Sequence, residues 1–140
     1  MSKLTSRIQN TAHSFTINLQ EWFDRTLDYS LESLDEIDQM LEAFGRQDLD
    51  EDSLSRLSSM VGCYIFETAR RNCGGEYRWL EQEHQPVLTV GGPDFFVGIK
   101  VWEKVRGRLL NGREHNIPFY IAGYQRAIGQ AQKDYHVTIV

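Results

Sequence analysis

The chain has 140 residues, a net charge of −5, and 41% hydrophobic against 25% charged content. That is the size of one domain able to bury roughly 70% of the surface its unfolded chain exposes, and the composition excludes a disordered or low-complexity chain. No run approaches the roughly 18 apolar residues of a membrane span, and MSKLTSRIQNTAHS lacks an apolar signal core, so a cytoplasmic protein without membrane association is expected.

In chain order, residues 1–14 are expected as a flexible lead-in to a single domain spanning 1–140. From Glu21 to Phe44 apolar residues recur at helical spacing, with Leu27, Leu31, Leu34, Ile37, Leu41 and Phe44 on one stripe. Asp28, Ser30 and Ser33 interrupt it, and Ser33-x-x-Glu36 reads as a capping box, so two helices are expected, over 18–27 and 31–44, the second stopped by Gly45. Asp50, Asp52 or Ser53 caps a third helix running to Asn72 or Cys73, ended by Gly74 and Gly75. Its apolar positions cover more than one side, which marks a central helix.

Glu76 to Gln82 alternates as a strand does, and Pro86 to Val90 is a second strand close enough for a hairpin. GGPD then breaks the chain and offers Asp94 as the N-cap of a helix over 95–110, closed by Asn111-Gly112. Asn116, with Pro118 in the first turn, opens a helix through Ile128, and Tyr135 to Val140 is a terminal strand. The fold class expected is α+β, a single domain of helices flanking a small antiparallel sheet.

Charge is unevenly spread. Between Glu21 and Asp52 twelve acidic residues face only Arg25 and Arg46, so that segment carries −10 and the remainder +5. An acidic docking face for a basic partner protein follows, centred on Asp35, Glu36 and Glu42, and the same acidity argues against nucleic-acid binding.

Chemistry-bearing residues concentrate in GCYIFETARRNCGGEYRW, Gly62 to Trp79. Glu67 and Arg71 are spaced i,i+4 in the order that stabilises a helix. Cys63 is coupled to no histidine by any motif and reads as core; Cys73, beside Arg70 and Arg71, reads as the more exposed thiol. Histidine and cysteine spacings match no metal site, so neither metal nor cofactor is expected. On the basic segment Lys100 to Arg113, Lys104 and Arg108 stand one turn apart at the edge of the apolar side; a solvated charged face is the first reading, and their mutual repulsion suggests anionic company as the other. Asp38, projecting between Leu31 and Leu34 inside an apolar stripe, is the natural partner for Arg108 or Lys104.

LDYSLESLDEID, VGCYIFETARRNCGGEYRW and VWEKVRGRLLNGREHNIPFY together resemble an uncharacterised family of small bacterial proteins, a domain of unknown function. The matching positions are Gly62, Tyr64, Glu67, Gly74, Trp79, Lys104, Arg108 and Asn111; Phe66 departs from the pattern, where a small residue is expected. The resemblance implies a small soluble α+β protein and supplies no activity. The function expected is a non-enzymatic bacterial protein-binding domain, an immunity protein or an adaptor. The alternative is a small enzyme or ligand-binding domain with a pocket around Glu67, Trp79, Lys104 and Arg108.

Overall fold

The computed structural model describes residues 2–24, 26–92, 94–131 and 136–140, and the side chain of Arg113 also falls outside that description. Among the described residues the elements are helices α1 (Lys3–Leu19), α2 (Ser33–Gly45), α3 (Glu51–Cys73), α4 (Val101–Asn111) and α5 (Ile117–Gln130), and strands β1 (Glu76–Leu80), β2 (Gln85–Gly91), β3 (Phe96–Ile99) and β4 (His136–Ile139). The class is α+β.

α3 is the axis of the fold. Asp50 caps it by accepting from the Ser53 amide at 2.7 Å, and Gly74, at φ 81°, ends it by donating to Arg70 O. Val61, Tyr64, Ile65, Phe66 and Ala69 are all fully buried, as expected for a helix covered on several sides. α1 packs along one flank and α4 along another, while α2 packs on α4 and α5. Within the stretch 1–14, expected as a flexible lead-in, the described residues form the first part of α1. Residues from Lys3 onward are helical, and Ile8, Ala12 and Phe15 enter the core at spacings of four and three.

The boundaries around α2 also differ. Among the described residues of 18–27 no separate α-helix forms: α1 runs on to Leu19, a 3-10 turn follows over Gln20–Trp22, and the Leu27 amide is tied to Gln20 Oε1 at 3.0 Å. Arg25, part of that expected helix, lies outside the described residues. The capping box does not form, because Ser33 is already inside the helix and its hydroxyl meets Ser30 O and the Tyr64 hydroxyl, each at 2.7 Å. A tertiary contact outcompeted the local one.

The sheet has strand order β1-β2-β3-β4, antiparallel between the first three and parallel between β3 and β4. It is therefore mixed, where an antiparallel sheet was expected. The helix predicted over 95–110 begins only at Val101; Phe96–Ile99 is a strand whose Val97 and Ile99 are fully buried between β2 and β4. Gly98 in its middle allows close approach: its Cβ position lies 3.3 Å from methyls of Val87 and Thr89 on β2. The parallel pairing follows from topology, since α4 and α5 form the connection that returns the chain to the β3 edge. Pro93 of the GGPD turn and Tyr135 of the expected terminal strand lie outside the described residues.

Register assigns the two faces. Tyr77, Leu88, Val97 and Ile99 are buried beneath the helices. Arg78, Val87, Thr89, Phe96 and Thr138 share the opposite face, which borders an open groove.

Candidate functional site

The structure distributes the sequence-predicted site residues over several separate settings. Glu67, on α3, is 1% exposed and fully engaged. Arg70 reaches both its oxygens, Nε to Oε2 at 2.7 Å and Nη2 to Oε1 at 3.1 Å, and the Tyr77 hydroxyl donates to Oε2 at 2.7 Å. Arg71, the expected partner, stands further off at 3.6 Å and lies over the Tyr29 ring. Burial pushes the Glu67 carboxyl up, but the bonds from Arg70 and Tyr77 and the two arginine charges outweigh it, so the net displacement is downward. A carboxylate held ionised and saturated with donors is a poor proton acceptor. Its work is to join the last turns of α3 to β1.

Arg108 and Asp38 meet as expected. Nε and Nη2 of Arg108 donate to Oδ1 and Oδ2 of Asp38 at 2.9 and 3.1 Å, and Nη1 reaches Glu42 Oε2 at 2.7 Å. Asp38 Oδ1 also accepts from the Ile117 amide at 2.9 Å, and Oδ2 from Asn116 Nδ2 at 3.1 Å. One buried carboxylate thus fastens α2, α4 and the start of α5. The hydrogen bond to Arg108, with the arginine charges, holds the Glu42 carboxyl below its ordinary range.

Lys104 lies elsewhere, with Nζ 5.0 Å from the Tyr120 ring centroid, and burial lowers its pKa. Trp79, 38% exposed, stands edge-on to Trp102 at 6.1 Å. Glu67, Trp79, Lys104 and Arg108 therefore engage different partners and line no common cavity among those described. Cys63 is a core thiol pushed up to about 12 by burial. Cys73 is half-buried, the more exposed of the two thiols as expected, and burial raises its pKa as well.

The acidic trio is also divided. Glu42 serves the internal arginine cluster, whereas Asp35 is exposed and Glu36 turns toward the end of the 3-10 turn. There a depression of about 270 Å³ is lined by Trp22, Phe23, Asp24, Glu36, Gln39 and Met40. Trp22 is 55% exposed and braced edge-on against Phe44 at 5.2 Å. Phe23 packs inward on Phe15, leaving its neighbour outside. Glu36 Oε2 is buried and has no hydrogen-bond partner among the described residues. Trp22 and Asp24 were absent from the expected site. The signal was available in the dipeptide Trp22-Phe23, since adjacent aromatics on one turn point in different directions and only one can join the core.

Among the described residues no group of His, Cys, Asp and Glu is arranged to hold a metal ion, and no helix is long and apolar enough to cross a membrane. Comparison with protein-family models, with curated proteins and with solved structures found no match. Geometry alone carries the functional reading.

Proposed function

We propose that this chain is a non-enzymatic protein-binding domain of the bacterial cytoplasm, an immunity protein or adaptor, that docks a basic partner on the acidic surface of α2. The observation that supports this most is Trp22. It is a large aromatic, more than half exposed and held in place by Phe44 at the edge of a depression. It adjoins Met40, Asp24 and Glu36, one oxygen of which lacks a partner among the described residues. Tryptophan anchors recur at the energetic centres of interfaces, and a carboxylate rim selects cationic partners and speeds their encounter.

A lysine or arginine side chain entering the depression would lie against the indole, a contact worth about 0.5–1 kcal/mol at an exposed site, and would give Glu36 its missing donor. Of the expected trio, Asp35 and Glu36 stay in the docking surface and Glu42 leaves it, because Arg108 and Arg46 already engage its carboxylate. Trp22 and Asp24 join.

The test is affinity capture from a lysate of the source organism with four baits: the native chain, Trp22→Ala, Glu36→Lys, and Arg78→Glu on the remote sheet face. The proposal expects one basic protein that the native chain and Arg78→Glu retain and the other two lose. Equal retention by all four baits would remove the docking surface.

A further inference from the structure

The sheet face turned away from the helices carries a second site of opposite character. Paired positions place Arg78 beside Val87, Thr89 beside Gly98, Gly98 beside Thr138, and Gly91 beside Phe96. Gly98, in the middle of this face, brings no side chain of its own, and the methyls of Val87 and Thr89 close over its Cβ position at 3.3 Å. The groove that this face borders has a volume of about 610 Å³, within the roughly 300–1,000 Å³ usual for small-ligand sites. Val87, Thr89 and Thr138 line its floor, with Leu80 and Phe96 also in its walls. Val87 is only 6% exposed although it borders the groove.

Two cations reach this lining. Lys100 follows β3 directly, and its Nζ is held by Glu83 at 2.7 Å, which cancels both charges. Arg78, exposed on the edge strand, makes no ion pair or side-chain hydrogen bond among the described residues. Glu76, on the same face, lies beyond the lining. The groove is thus apolar and threonine-lined, with one uncompensated guanidinium, a group that pairs with planar oxyanions through two parallel bonds.

We propose that this groove binds a small amphiphilic anion, an aromatic or aliphatic body carrying a carboxylate or similar oxyanion head. The body lies on Val87, Thr89 and Phe96, and the head pairs with Arg78. The groove is distinct from the acidic docking surface, and the proposal does not rest on that reading.

The experiment uses two fluorescent probes of similar shape, the anion 8-anilinonaphthalene-1-sulfonate and the neutral N-phenyl-1-naphthylamine, titrated into the native chain and into Arg78→Glu, Arg78→Lys and Arg106→Glu. Urea midpoints establish that each variant is folded. The proposal expects the sulfonate to bind the native chain more tightly than the neutral probe. Arg78→Glu should weaken sulfonate binding about tenfold, equivalent to about 1.4 kcal/mol, while leaving the neutral probe within about twofold. Arg78→Lys should retain most of the preference, and Arg106→Glu all of it. Failure of the sulfonate to bind, or equal sulfonate affinity in the native chain and Arg78→Glu, would overturn the proposal. So would a dimer in sedimentation velocity that Arg78→Glu dissolves, since a second copy would then occupy the face.

Discussion

Arg108 on α4 and Asp38 on α2, seventy residues apart, form a two-pronged buried ion pair at 2.9 and 3.1 Å that the Ile117 amide and Asn116 complete from the third side. Arg108 is 3% exposed and Asp38 8%. Asp38→Ala leaves a buried guanidinium with only Glu42, and the expected loss is about 3–5 kcal/mol in urea unfolding. A loss below about 1 kcal/mol would class the pair with surface contacts. The charge swap Asp38→Arg with Arg108→Asp should not restore stability, because the Ile117 and Asn116 donors would then face a cation.

Glu67 sets a pH dependence of definite sign. Its folded-state pKa lies below that of the unfolded chain, so ionised Glu67 favours folding at pH values above about 4.3, and that contribution fades as pH falls further through the folded-state value. The native chain should exceed Glu67→Gln in urea midpoint at about pH 7, and the gap should close toward about pH 3. A gap that is constant with pH would mean that shape and hydrogen bonding, not charge, carry the contribution.

Gly62 permits the contact between α3 and α4. A Cβ there would lie 2.5 Å from Cδ1 of Trp102 and 3.6 Å from its Cα, leaving the ring little room to yield. Gly62→Ala should therefore destabilise by about 1–3 kcal/mol despite the better helix propensity of alanine. Chemical denaturation followed by tryptophan fluorescence measures it, and a stabilised variant would contradict the packing described.

Thiol chemistry gives a further check. With Cys63 pushed up to about 12 by burial, its thiolate fraction at about pH 8 is about one part in ten thousand. An aromatic disulfide reagent should modify Cys73 slowly in the native state and Cys63 only on unfolding. Rapid modification of two thiols in buffer would show that α3 opens readily.

Much of this architecture was legible in the residues. The α3 helix apolar on more than one side, the double-glycine stop, the hairpin and the Asn116 cap are local signals that tertiary structure left in force. So was the pairing of Asp38, because a carboxylate inside a leucine stripe requires a partner and Arg108 stood at the edge of the matching face. Three features were hidden for physical reasons. α1 buries only Ile8, Ala12 and Phe15, too sparse a stripe to register against its polar neighbours. β3 is four residues long and runs almost directly into α4, so its apolar residues merge with the helical pattern. The uncovered sheet face and the exposed Trp22 depend on what the helices leave bare, which no local pattern encodes.

The most direct measurement of the docking surface needs no identified partner. An amide and indole NMR titration with a short lysine- and arginine-containing peptide should move the Trp22 indole resonance and the amides of Asp24, Asp35 and Glu36 first, with the effect weakening as salt is raised. The indoles of Trp79 and Trp102, which do not line that depression, should stay in place. An unmoved Trp22, or three indoles that shift alike, would contradict the account.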